Sequence, residues 1–175
     1  MLANAAAWVV ARSGRAVVVG RNQERLRAVA GGGVPGAVTA WRLDVRDTAA
    51  LRAELRAQMA AHGAFDLALV WLHDDSAAAL PVIAEHVGSA SRPGRLVVVL
   101  GCEAEQPGRG GTTPEQAHAR PGALCVQATI LGWVRTPSGS RWLTHGEISG
   151  GVVASMETGA ERTIIGVVEP WGTRP

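Results

Sequence analysis

The sequence has no lysine, no tyrosine, one phenylalanine and two cysteines in 175 residues. Every basic side chain is therefore an arginine, and the chain has no phenolic hydroxyl or ε-ammonium of its own to use at a site. Cys102 and Cys125 make neither a disulfide framework nor a metal-ligand spacing. No apolar run approaches the roughly 18 residues needed to cross a membrane. The opening stretch Met1–Val10 is apolar, but no basic side chain precedes it and Arg12 and Arg15 follow it, which does not fit a signal peptide. The expectation is a cytoplasmic chain with no membrane partner. The 22 glycines and 9 prolines fall into no repeat, so solenoid and fibrous designs are excluded.

What is there suits one globular domain over residues 1–175, with 47% hydrophobic residues. Charge is unevenly spread. Residues 1–60 hold nine arginines and four acids, whereas residues 61–175 hold eight arginines and eleven acids. A basic first third suits an anionic ligand, or is simply a solvated helix surface. The arginines do not interleave with stacking aromatics, so no nucleic-acid partner is expected.

Along the chain, helical and strand-like patterns alternate. Residues 2–12 have apolar positions at helical spacing. Arg15–Val19 is a short apolar run ending at Gly20, read as a buried strand. Asn22 caps a helix to about Ala30, and Val38–Leu43 is the next strand. Asp47 caps a helix over Thr48 to Ala61 with Leu51, Leu55 and Met59 on one face. Asp66–Leu72 reads as a strand, Asp75 or Ser76 opens a helix to about His86, and Arg95–Leu100 is a strand. Residues 103–122 read as a loop with one helical turn at Pro114. Leu124–Val134 is a strand bent at Gly132. Thr144 and Glu147 form a capping box before Ile148, Val152 and Met156, and Thr163–Val168 is the last strand. This order predicts an α/β, doubly wound parallel sheet with helices on both faces.

The Ala-rich opening helix followed by Arg15-Ala16-Val17-Val18-Val19-Gly20-Arg21-Asn22 resembles the short-chain dehydrogenase/reductase family of Rossmann-like proteins. The likeness begins just after the family's first strand and glycine-rich phosphate loop. It implies that both are missing here, and that Met1 is an internal methionine with roughly ten or more residues ahead of it, the length of a strand and a tight turn. The other reading is a true start with a rearranged sheet edge.

The resemblance also assigns site residues. Leu2 stands at the head of the helix that follows the phosphate loop. Gly20, Arg21 and Asn22 lie at the tip of the second strand, with Arg25 one turn on. Arginine there, with no acid, implies NADP rather than NAD, because a guanidinium can hold a 2′-phosphate in a fork. Asp44 and Val45 match the pair that contacts adenine. After the next strand the family's Asn-Ala-Gly is replaced by Leu72-His73-Asp74, which still lies at a carboxyl strand end. Cys102 stands where the family has its catalytic serine, so His73 and Cys102 are the candidate catalytic residues. Trp133, Trp142 and Trp171 line a substrate wall or pack the core.

The family's Tyr-x-x-x-Lys pair cannot exist in a chain without either residue, so the resemblance implies an atypical member. Two readings follow. One is an NADP-binding oxidoreductase acting on an unknown small molecule around His73, Asp74, Cys102 and Trp133. The other is a non-catalytic dinucleotide-binding sensor or interaction domain. Self-association as a homo-oligomer stays open.

Overall fold

A computed structural model describes residues 1–106 and 124–175. Eight strands and five helices follow in the order α1 (Ala3–Arg12), β1 (Ala16–Gly20), α2 (Gln23–Ala30), β2 (Val38–Arg42), α3 (Thr48–His62), β3 (Leu67–Trp71), α4 (Ala79–Ala84), β4 (Gly94–Gly101), β5 (Leu124–Leu131), β6 (Trp133–Thr136), β7 (Gly139–Trp142), α5 (His145–Thr158) and β8 (Arg162–Ile165). The α/β class and the parallel pairing are as the sequence predicts. The capping signals hold too: Asn22, Asp47 and Thr144 each accept from a backbone N–H in the first turn, and Thr144 and Glu147 close both halves of the capping box.

The sheet is divided. β3, β4, β5 and β8 pair in parallel as one four-stranded sheet, while β1 and β2 form a separate parallel pair. β1 and β3 are both edge strands. Helices bridge the division on both faces. α1 packs on α2 and α5, and its Ala5, Trp8 and Val9 meet Val97, Val99, Leu67 and Leu69. On the opposite face Leu51 and Leu55 of α3 pack with Trp41 of β2, and with Phe65, Leu72 and α4. Strand alternation separates the two cores: Val97 and Val99 face α1 and α5, whereas Leu96 and Val98 face α4.

Four elements differ from the sequence expectation. The helix expected over 75–86 is a 3-10 turn at Asp74–Ser76 and then only α4. The Ser76 hydroxyl donates to the His73 carbonyl at 2.8 Å and accepts from the His73 N–H at 3.1 Å, which holds a turn where a helix would start. The strand expected over 124–134 breaks at Gly132, where a Cβ would collide with the Val167 carbonyl. β6 instead pairs antiparallel with β7, a hairpin not foreseen, in which Gly139 has a φ of 140°. The last strand stops at Ile165, because Gly166 turns out of the ladder with a φ of 81°. A 3-10 turn at Cys102–Glu105 opens the loop after β4, and the turn expected at Pro114 lies outside the described residues.

Candidate functional site at the carboxyl edge of the sheets

Parallel strands bring their carboxyl ends to one edge, where open α/β folds bind ligands. β1 and β2 contribute the basic end. Gly20 closes β1, and its carbonyl accepts from the Leu43 N–H at 3.0 Å, which aligns the two strand tips. Arg21 follows in the open, and Asn22 turns the chain into α2 by accepting from the Arg25 N–H at 2.9 Å. Among the described residues neither Arg21 nor Arg25 has an ion-pair partner. An arginine that is exposed, outside any ion pair and next to a strand tip can receive an oxyanion.

Asp44 is committed to another partner. Arg46 donates to its carboxylate through the backbone N–H at 3.1 Å and through the guanidinium at 2.5–3.0 Å. These bonds, with a smaller contribution from the charge on Arg21, hold the Asp44 carboxyl down at about 2. Arg46 also reaches Asp75 at 3.3 Å. It therefore ties the exit of β2 to the exit of β3, across the division between the sheets. Sequence reasoning missed Arg46. The Asp-x-Arg spacing after a strand was the available signal, but only the fold shows that Asp75 lies opposite. Val45 and Leu72 are half-buried against α3 and α4. Leu2 is the uncapped head of α1, packed toward α5 and β4.

β3, β4 and β5 contribute the other end. His73 is exposed and meets Trp71 edge-on at 5.7 Å. Cys102 is only 2% exposed. Burial, and then the neighbouring Glu103 carboxylate, push its thiol up. That is the reverse of what an activated thiolate requires. No hydrogen bond joins His73 to Cys102, so the structure puts both on adjacent strand ends without pairing them. Trp133 is fully buried and lies edge-on to Trp171 at 6.0 Å, whereas Trp142 is among the exposed large apolar residues.

No model of a known protein family and no curated protein matches the chain. Solved structures do match. A short-chain dehydrogenase/reductase from Serratia marcescens aligns over 93% of this chain and 89% of its own, with a TM-score of 0.60 and 18% identity. A beta-ketoacyl-acyl carrier protein reductase from Bacteroides thetaiotaomicron aligns over 93% and 90%, with a TM-score of 0.65 and 13% identity. A metagenomic short-chain oxidoreductase, solved with NADP, aligns over 94% and 89%, with a TM-score of 0.59 and 22% identity. The chain has the short-chain dehydrogenase/reductase fold. At these identities the likeness is one of architecture, and activity has to be argued from the residues themselves.

Arg21 and Asn22 follow the tip of β1, and Asp44 and Val45 follow the tip of β2.

Proposed function

We propose that the chain binds a nicotinamide dinucleotide at the carboxyl edge of its sheets, with NADP preferred, and that it belongs to an atypical dehydrogenase/reductase. The observation that carries this reading is Arg21, exposed at the tip of β1 and in no ion pair among the described residues. Structural neighbours solved with NADP and with NAD support a dinucleotide of this class. Titration of NADPH and NADH, followed by energy transfer from the six tryptophans, tests the preference. Arg21→Ala should weaken NADPH about tenfold or more, the scale of a charge-assisted bond, and leave NADH nearly unchanged. Equal losses for the two cofactors would remove Arg21 from the site.

The slot between β1 and β3 belongs to the same proposal. The link from α1 to β1 is short, so α1 runs antiparallel to β1 and starts at the carboxyl edge. A parallel strand between the two free edges, leading directly into α1, completes a right-handed βαβ unit and joins the two sheets into one. The turn from that strand into α1 would put backbone N–H groups where the pyrophosphate belongs.

Two functional classes remain in play. Carbonyl reduction needs a proton donor as well as a hydride, and the exposed His73 imidazole at the strand ends is the candidate donor. If the protein turns over substrate, His73→Ala should abolish turnover while NADPH binding persists. The non-catalytic reading is favoured by the raised Cys102 thiol and by the absence of tyrosine and lysine. Undiminished turnover in the His73 variant would end the role given to His73.

A further inference from the structure

The carboxyl edge of the four-stranded sheet is covered along part of its length. Beyond Gly166 the chain stays close to β6: the Val167 and Trp133 backbones exchange two hydrogen bonds of 2.9 Å. It turns at Trp171–Thr173, and Arg174 then donates to Glu103 at 2.6 Å, two residues past the end of β4. Residues 167–174 thus cross from β8 past β5 to the end of β4. The Arg174 guanidinium lies 5.2 Å from the Trp142 ring and 5.3 Å from the Trp171 ring, a cation held between two π faces.

Two observations mark this crossing as separable from the body. A cleft of about 460 Å³ lies between Gly172, Thr173 and Arg174 on one side and Arg135, Thr136 and Ser140 of the hairpin on the other. The fastening at its end is an ion pair with both side chains a third or more exposed, a weak type of contact. A third observation marks what lies beneath. The Trp133 indole N–H is buried with no acceptor among the described residues. Native interiors seldom leave a donor so, and an acceptor arriving with a ligand would satisfy it.

We propose that residues 167–174 form a strap that opens and closes over the ends of β4 and β5, latched by Glu103–Arg174 and by Trp142, and that it controls access to Cys102 and Trp133. When open, it exposes a surface suited to a planar ligand carrying a hydrogen-bond acceptor. The inference rests on the reading of this edge as the ligand crevice, but the strap can be tested without a ligand.

Alkylation of the two thiols by iodoacetamide, followed by mass spectrometry, reports opening at Cys102, with the exposed Cys125 as internal reference. Glu103→Gln, Arg174→Gln and a chain ending at Pro170 should each speed Cys102 alkylation several-fold relative to Cys125. Electrostatics alone predicts something different. Glu103 raises the thiol pKa and Arg174 lowers it, so without opening the two substitutions would move the rate in opposite directions. Opposite changes, or no acceleration in the shortened chain, overturn the proposal. If the shortened chain does not fold, the two substitutions decide. The shortened chain should also bind NADPH several-fold more tightly, because a closed strap lowers the competent fraction. Thiol opening with unchanged NADPH affinity would show that the strap does not guard the crevice. NADPH binding to neither chain would instead defeat the cofactor reading, leaving the thiol rates to decide the strap.

Discussion

β1 and β4 carry the same Val-Val-Val triplet, and the fold treats the two differently. In β4, Val97 and Val99 are 0% exposed and Val98 is 2%. In β1, no residue is buried and Val19 is 37% exposed. Composition does not explain the difference, but neighbours do. β4 has a strand on each side and helices on both faces, whereas β1 pairs only with β2 and has its other edge unpaired. A parallel strand is normally covered on both faces, and a two-stranded sheet is marginal by itself. The four-stranded half therefore holds the stability, and the two-stranded half holds the basic strand tips on which cofactor binding is proposed.

The sharpest way to break that comparison is to make equivalent cuts in the two halves. Leu96 is 0% exposed in β4, and Leu96→Ala should cost about 2–5 kcal/mol in chemical denaturation. Val18→Ala, in the middle of β1, should cost about 1 kcal/mol, because Val18 is only partly buried. Similar costs would mean that β1 is already supported as β4 is. Placing an apolar strand ahead of α1 should then raise the cost of Val18→Ala, if that strand fills the slot between β1 and β3. An unchanged cost would defeat the filling of the slot.

Helix caps give a smaller version of the same test. Thr144→Ala removes half of the capping box of α5, which packs on β4 and β5. It should lower global stability by about 1 kcal/mol. Asn22→Ala removes the cap of α2, which packs on β1 and β2. Its effect should appear mainly as faster amide exchange within α2, with the global midpoint barely moved, because a weakly attached half opens on its own. Equal shifts in the global midpoint would show that the two halves unfold together.

These contrasts also mark how far the sequence could be read. Periodicity and caps located the parallel strands and four of the five helices, because Asn22, Asp47 and the Thr144–Glu147 pair act within a few residues of themselves. The hairpin of β6 and β7 is not legible, although Pro137, Ser138 and Gly139 are turn residues, because Gly132 reads as a bend within one strand and only its contact with Val167 shows that the strand breaks there. The helix expected over 75–86 was misjudged, because the Ser76 hydroxyl bonds backwards onto His73 and supports a turn. For the site, Arg21 and Asp44 stood out by position along their strands. Their state did not: which arginine is free and which carboxylate is occupied depends on Arg46 reaching Asp75, 29 positions away in sequence.

That last contact gives the smallest of the expected effects. Asp44 titrates at about 2 instead of the usual 3.8, chiefly because of its hydrogen bonds to Arg46. Its folded pKa lies below its unfolded one, so whatever stability the pair adds is complete above about pH 4 and disappears as the pH falls through about 2. Both side chains are well exposed, which keeps the contribution small and sensitive to salt. Carboxyl carbon NMR should place the Asp44 midpoint near 2 and return it toward 3.8 in Arg46→Gln. An Asp44 midpoint that stays near 2 in that variant would pass the main role to the remaining cation at these strand tips, Arg21. That arginine would then be partly neutralised by Asp44, and so a weaker anchor for a phosphate than its free position suggests.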